Sequence, residues 1–567
     1  MRLLNRLNQF QRLWQPSQGE TQQVTIAELA ALCFCSERHV RTLLRQAQEA
    51  GWLSWQAQSG RGKRGSLTFH TTPEALRNEM METALERGQQ HNALELAQIA
   101  PVELRALLHP FLGGQWQNNT PTLRIPYYRP LEPLHPGFLA GRAEQHLAGQ
   151  IYSGLTRFNH DASQPSGDLA HHWSVSPDGL CWHFYVRSTL HWHNGDAVET
   201  DQLRRRLLML LTLPELARLF SSVKEIGQSH PQCLTFTLHR PDYWLPHRLA
   251  SYCSVLAHPD EPEQGTGPFM YKIFEPELVR IESHHRYHLG HPLLQAIEYW
   301  ITPQLFEQGL GTSCQHPVQI AIGKPEELGK LRLVSHSISL GFCYLALRQS
   351  PRLSMAQAQR VIALIHRSGL LQSLPLGENL ITPSEEMLPG WAIPLAQDNP
   401  DVALPPTLTL IYHLPVELHT MAEQLKNALA PLGCELTVIF YDAKSWNGCK
   451  DLPQADLFMG DRLIGEMPEY ALEQWLRCCD ALWPSLFTDE QAHLVQQSLD
   501  EAQAQPDDVL RIAALKRLFT RLMHDAILTP LFNYQYQVSA PPGVNGIRLN
   551  ARGWFDFSEA WLPPDTR

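Results

Sequence analysis

Residues 24–70 constrain this chain more tightly than any other stretch, because their local signals set the type and order of consecutive elements. Thr25 with Glu28 is a capping box, opening a short helix that buries Ile26, Leu29, Ala30 and Leu32. Cys33-Phe34-Cys35 makes a tight link. Ser36 then caps a second helix running to about Glu49, with Val40, Leu43, Leu44 and Ala47 inside and Gly51 as its left-handed stop. Ser36, Arg38, His39, Arg41, Thr42 and Arg45 are the outward groups that such a helix offers to a polyanion.

A short helix, a tight turn and a basic second helix read as a helix-turn-helix, whose second helix enters the major groove and bonds guanine edges through Arg. An ordinary helical hairpin with a solvated charged face has the same pattern. The next segment separates the two readings. Trp52–Gln56 and Leu67–His70 alternate like strands, and the glycine-rich tip between them carries Arg61, Lys63 and Arg64. A flexible cationic hairpin directly after such a helix is a wing that grips phosphates, so double-stranded DNA is the expected partner. Gly60, Gly62 and Gly65 match G-x-G-x-x-G, but no helix opens there, so a dinucleotide site is rejected. Cys33 and Cys35, with one residue between them, have no zinc spacing and read as small turn residues. Residues 74–112 read as helical, with Leu76, Met80, Leu85, Leu94, Leu96, Leu104 and Leu107 inside.

Charge supports a divided chain. Residues 1–70 hold nine Lys/Arg against four Glu, a net of +5, while the whole chain of 567 residues carries −11, leaving −16 for the rest. A small basic head on a large acidic body is the expected organisation. With 43% hydrophobic and 18% charged residues, the body has material for several cores and is not a disordered or fibrous chain. Arg2, Asn5 and Arg6 interrupt the apolar residues that a secretory signal needs, and no stretch is long enough to span a bilayer. Eleven scattered cysteines do not form a disulfide framework. A cytoplasmic protein without membrane contact is expected.

From Thr122 onward strands alternate with helices. Leu123-Arg124-Ile125, Trp182–Val186 and Leu234–Leu238 read as strands, and Leu408–Tyr412, Leu418–Leu432 and Glu435–Tyr441 as a parallel β-α-β crossover. The runs Gln150–Phe158, Asp168–Trp173, Ser176–Leu180, Phe184–Arg187, His191–Asp196 and Gly265–Phe269, in this order, resemble the family 5 extracellular solute-binding proteins. With the winged head in front, the whole chain resembles the SgrR-type family of bacterial transcriptional regulators, nearest its YbaE-like branch.

The resemblance implies an α+β and α/β multidomain chain: a winged helix followed by a two-lobed periplasmic-binding-protein-like clamp of type II. Its expected parts are a head over 1–115, a linker over 116–122, and a clamp over 123–567. Lobe I would comprise about 123–300 plus 525–567, and lobe II about 301–525. It implies a DNA-binding transcriptional regulator that senses a small solute (sugar phosphate, peptide or other) by cleft closure, with a homodimer on DNA as one arrangement. Tyr152, Asp461, Arg462 and Glu466 are the candidate solute contacts, set against solvated loop charges. His191 and His193, on one face, and the cluster His284–His288 invite a metal, but without a fixed third ligand no metal and no cofactor is expected.

Two other function classes compete. A solute-binding component of a transporter, with a vestigial or docking head, would have to be exported. An enzyme would need a recognisable nucleophile, metal or phosphate motif; G-x-S-x-G, H-E-x-x-H, P-loop and kinase patterns are all missing from the sequence.

Overall fold

The computed structural model describes all residues except 1–2, 59–62, 98–107, 118, 135–140, 160–162, 306–331, 368–380, 385, 393–397, 414–416, 442–445, 465–466, 479, 541–543, 548–554 and 565–567. The head begins with helix α1 (Leu3–Trp14), strand β1 (Gln22–Val24), α2 (Ile26–Leu32) and α3 (Glu37–Glu49). Strands β2 (Leu53–Gln56) and β3 (Gly65–Phe69) complete a three-stranded antiparallel sheet of order β1-β3-β2. The Thr25–Glu28 capping box is present, and Ser36 Oγ accepts the His39 N–H at 3.3 Å. Phe34 takes a left-handed φ of 51°, which turns the chain between α2 and α3. The helical faces converge on one core containing Phe10, Leu29, Val40, Leu44, Leu53 and Leu67, with Phe10 edge-on to Trp52 and Phe69.

Helices α4 (Pro73–Glu86) and α5 (Gln90–Ala97) follow, with Leu76, Met80, Leu85, Leu94 and Leu96 buried as expected; Leu104 and Leu107 lie outside the described residues. The expected linker over 116–122 is different. Gly113–Gln117 (β4) and Thr120–Tyr127 (β5) pair antiparallel and occupy one edge of a five-stranded sheet. The remaining strands of that sheet are Ala296–Ile301, parallel to β5, then Leu278–Ser283 and Phe269–Phe274. Gly113-Gly114 read as a break because glycine and asparagine mark turns, but here tertiary pairing overrides that propensity.

Head and body share a core. Leu278, Trp300 and Leu305, from the body sheet and the turn after it, belong to the same buried cluster as the head's Leu29, Leu76 and Leu94. Beside this cluster Arg124 pairs with Glu298 at 3.1 Å, both nearly inaccessible, and donates to the Phe111 carbonyl at 3.2 Å. Lobe I also holds a four-stranded antiparallel sheet (Val223–His230, Cys233–Leu238, Cys181–Val186, Ala170–Val175) covered by the helix Thr200–Leu211.

Lobe II is built on a six-stranded mixed sheet. The expected crossover is there: Thr407–His413 and Glu435–Tyr441 run parallel in register, joined through the helix Glu417–Leu429, and Gly433 has φ 77°. One boundary moves. Residues 525–567 were expected in lobe I, yet Leu528–Ala540 pairs along Arg332–Leu347 within the lobe II sheet. Only the last part returns, with Val544, Phe555, Phe557 and Leu562 filling the lobe I core. An apolar strand can add to either sheet, so its sequence does not say which.

Candidate nucleic-acid interface and interlobe cleft

On α3, Ser36, Arg38, Arg41 and Arg45 are exposed and His39 and Thr42 half-buried, so these side chains line the outer face while Val40, Leu43, Leu44 and Ala47 are buried. Arg41 pairs with Glu37 at 3.0 Å and Arg45 with Glu49 at 3.9 Å, both in solvent. Such exposed pairs contribute little and exchange readily for phosphate or base contacts. The Thr42 hydroxyl donates to the Arg38 carbonyl at 3.2 Å, and Gln48 Oε1 accepts the Trp55 N–H at 2.9 Å, which ties α3 to the base of the wing.

The wing cations divide. Lys63 is exposed, Arg61 lies outside the described residues, and Arg64, also exposed, bonds back onto the head. Arg64 donates to the Gln23 carbonyl at 3.1 Å and to Glu28 Oε1 at 3.0 Å, so it braces the wing against α2. The Thr25 backbone N–H, with the Thr25 hydroxyl and Arg64, holds the Glu28 carboxyl below the usual range. Gly65 is required at the base: a Cβ there would lie 2.5 Å from the Trp55 ring. Sequence reasoning missed Phe34, whose ring is 83% exposed beside Arg12, 5.1 Å from the centroid. Cys33 is buried, and burial pushes its thiol up to about 11.

Between the lobes lies a buried ion-pair cluster that the sequence did not reveal. Arg248, from the lobe I helix Leu245–Ala250, donates to Asp242 Oδ2 at 2.8 Å and to both Glu473 oxygens at 2.9 and 2.8 Å. Arg477 donates to Glu473 Oε1 at 2.7 Å, Asp500 Oδ1 at 2.8 Å and Gln503 Oε1 at 2.7 Å. Glu473 and Arg477 stand on Pro468–Arg477, while Asp500 and Gln503 stand on Asp489–Gln503, both in lobe II. Burial alone would favour neutral Arg248, but Asp242 and Glu473 more than offset it and hold the guanidinium protonated.

Trp244, Met467 and Tyr470 pack beside this cluster, against Phe158 and Ile512. His247 sits between Trp244 and Tyr470, at 4.7 and 5.3 Å. Burial, with Arg511 and Arg248 nearby, pushes its pKa well below 6.5 and keeps it neutral. Trp244 Nε1 and His247 Nδ1 are buried without a hydrogen-bond partner among the described residues. A sequence signal existed only in outline, as Arg248 within the apolar run Trp244–Ala250.

The expected solute contacts come from both lobes. Tyr152 is buried in lobe I, where its hydroxyl donates to the Pro262 carbonyl at 2.7 Å and burial pushes its pKa up to about 12. Asp461 and Arg462 lie within the strand Leu457–Leu463 of lobe II, opposite Cys343 and Phe342. The Arg462 guanidinium lies 6.0 Å from the Trp475 ring centroid. Glu466 is outside the described residues.

The histidines diverge as well. His191 is half-buried with Nδ1 3.2 Å from the Thr189 carbonyl, whereas His193 Nδ1 accepts the Gly265 N–H and Nε2 faces the Gly267 carbonyl, each at 3.2 Å. His284 stacks edge-on to His193, 4.8 Å away. Burial pushes these two down to about 3 and about 4. They pin the Gly265–Phe269 turn.

A family model described as "Sugar transport-related sRNA regulator N-term" matches residues 5–119, and one for the bacterial extracellular solute-binding proteins, family 5 middle, matches residues 164–305. The HTH-type transcriptional regulator SgrR of Yersinia pestis (strain Pestoides F) is 30% identical over 572 residues, covering 98% of each chain. The chain belongs to the SgrR family. YbaE of Escherichia coli (strain K12) is 69% identical over 564 residues, 99% of each chain. The clamp of this SgrR-family chain has the family 5 binding-protein fold. NikA from Brucella suis in complex with Fe(III)-EDTA superposes with a TM-score of 0.64 at 17% identity, covering 78% of this chain and all of that one. A dipeptide-binding protein from Pseudoalteromonas sp. SM9913 in complex with Met-Leu gives 0.62 at 16%, with the same coverage. Among the described residues no helix is long and apolar enough to cross a membrane.

Proposed function

We propose that this SgrR-family chain is a cytoplasmic transcriptional regulator that binds double-stranded DNA through α3 and the wing and senses a small solute between its lobes. The observation that carries the DNA reading is the exposed Arg38–Arg41–Arg45 face of α3 beside the wing. Arg38, Arg41, Arg45, His39 and Thr42 reach bases or phosphates; Ser36 offers the helix N-terminus; Lys63 and Arg61 reach the backbone, and Arg64 braces the wing. The solute reading rests on the fold, whose solved neighbours hold Fe(III)-EDTA or a dipeptide. The solute is a small chelate, a peptide, a sugar phosphate or another compact polar molecule, seated near Trp244, His247 and the Arg248–Glu473 seam. Tyr152, buried in lobe I, shapes that lobe's core.

The shared core of head and lobe I supports a route for coupling. These two parts move together, so closure and opening displace lobe II against a head-bearing body. A solute shifts DNA binding by no more than its differential affinity for the two forms.

The test is fluorescence anisotropy on fragments recovered by chromatin immunoprecipitation of the native protein. Arg41→Ala with Arg45→Ala is expected to weaken binding by at least tenfold, at about 1–3 kcal/mol per base contact. Lys63→Ala is expected to lower the salt slope by about one. Binding that survives all three changes overturns the reading.

A further inference from the structure

We propose that His91, Glu275 and Glu277 form a divalent transition-metal site that clamps the head to lobe I. The three donate one ligand atom each, and those atoms all lie within 4.8 Å of one another. They come from two parts of the chain. His91 stands in the first turn of α5, whose Ala93, Leu94, Leu96 and Ala97 are buried in the head core. Glu275 and Glu277 flank Pro276 in the turn between Phe269–Phe274 and Leu278–Ser283 of lobe I.

Both carriers are rigid where it matters. The turn is closed by the Glu275 N–H on the Leu278 carbonyl at 3.0 Å and the Leu278 N–H on the Glu275 carbonyl at 3.2 Å. The Glu277 carbonyl also accepts the Ile301 N–H at 2.9 Å, and Leu278 packs into the same cluster as α5. The two backbones are therefore fixed, and only side-chain torsions remain to close a coordination sphere.

The imidazole itself points to a metal. His91 Nδ1 lies 3.0 Å from Glu275 Oε2, yet that nitrogen is shut off from water and has no hydrogen bond of acceptable geometry. An imidazole nitrogen within reach of two carboxylates is a nitrogen-and-oxygen donor set. Such a set suits Zn²⁺, Co²⁺ or Mn²⁺ rather than the all-oxygen shells of Mg²⁺ and Ca²⁺. Metal–ligand distances of about 2.0–2.2 Å require small side-chain rotations here. Three protein ligands with Glu275 exposed leave positions for water, so the role is a staple between two packed parts.

The competing account is a plain His–Glu ion pair on the surface. The full chain, stripped of metal, is titrated with Co²⁺ and then with Zn²⁺. The expected result is a visible ligand-field band with Co²⁺, displaced by Zn²⁺, and a rise in melting temperature on loading. His91→Ala and Glu277→Gln should lose the band and bind Zn²⁺ at least about tenfold more weakly. His524→Ala, at an exposed histidine elsewhere, should keep both (its side chain is 76% accessible). Circular dichroism of each metal-free variant should match the parent chain, since the substituted side chains are not in a core. No band in the parent chain, or a band and affinity that His91→Ala and Glu277→Gln leave unchanged, overturns the site.

Discussion

Glu473 accepts from two guanidiniums with none of its own side chain exposed. A buried pair broken on one side leaves an uncompensated charge, at a cost of about 3–5 kcal/mol. Glu473→Gln should lower the unfolding free energy from urea titration by that order, and a loss below about 1 kcal/mol would mean that water reaches the seam. Histidine burial sets a pH dependence. His193 and His284 have folded pKa values of about 3 and about 4, below the ordinary 6.5. The unfolded chain takes up their protons first as pH falls. Stability is therefore complete above pH 6.5 and declines toward pH 4, at up to about 1.4 kcal/mol per pH unit for each group. A melting profile across this window tests it, and His193→Gln should flatten the slope.

At the scale of elements, α3 and the wing depend on small local devices. Ser36→Ala removes the acceptor of the His39 N–H and should cost about 1 kcal/mol of head stability, read by thermal melting. Gly65→Ala is expected to do more to DNA binding than to the fold of the rest of the chain. Its added methyl meets the Trp55 ring, so β2 and β3 must part and Lys63 shifts with them. Anisotropy with that variant should show affinity reduced about tenfold, and parent-like affinity would show that the wing base can yield.

Across the whole molecule, the decisive feature is that the head's buried cluster takes in Leu278, Trp300 and Leu305 of lobe I. Trp300 is fully buried in the cluster that also holds Leu29 and Leu76. Trp300→Ala should cost about 3–5 kcal/mol and lower the melting of head and lobe I together in calorimetry. A head that melted alone at its parent temperature would refute that shared core.

The sequence by itself determined the helix-turn-helix, the wing strands and the parallel crossover of lobe II, because caps, glycine stops and apolar periods act over a few residues. Its family motifs carried the clamp. Only the tertiary structure decided that Gly113–Tyr127 pairs into a sheet, that Leu528–Ala540 belongs to lobe II, and that Arg64 braces the wing. It also decided that Arg248 meets Glu473, 225 positions away along the chain. Each of these is a choice of partner. A strand or a guanidinium records what it can pair with, and which partner arrives is set by the packing of distant segments.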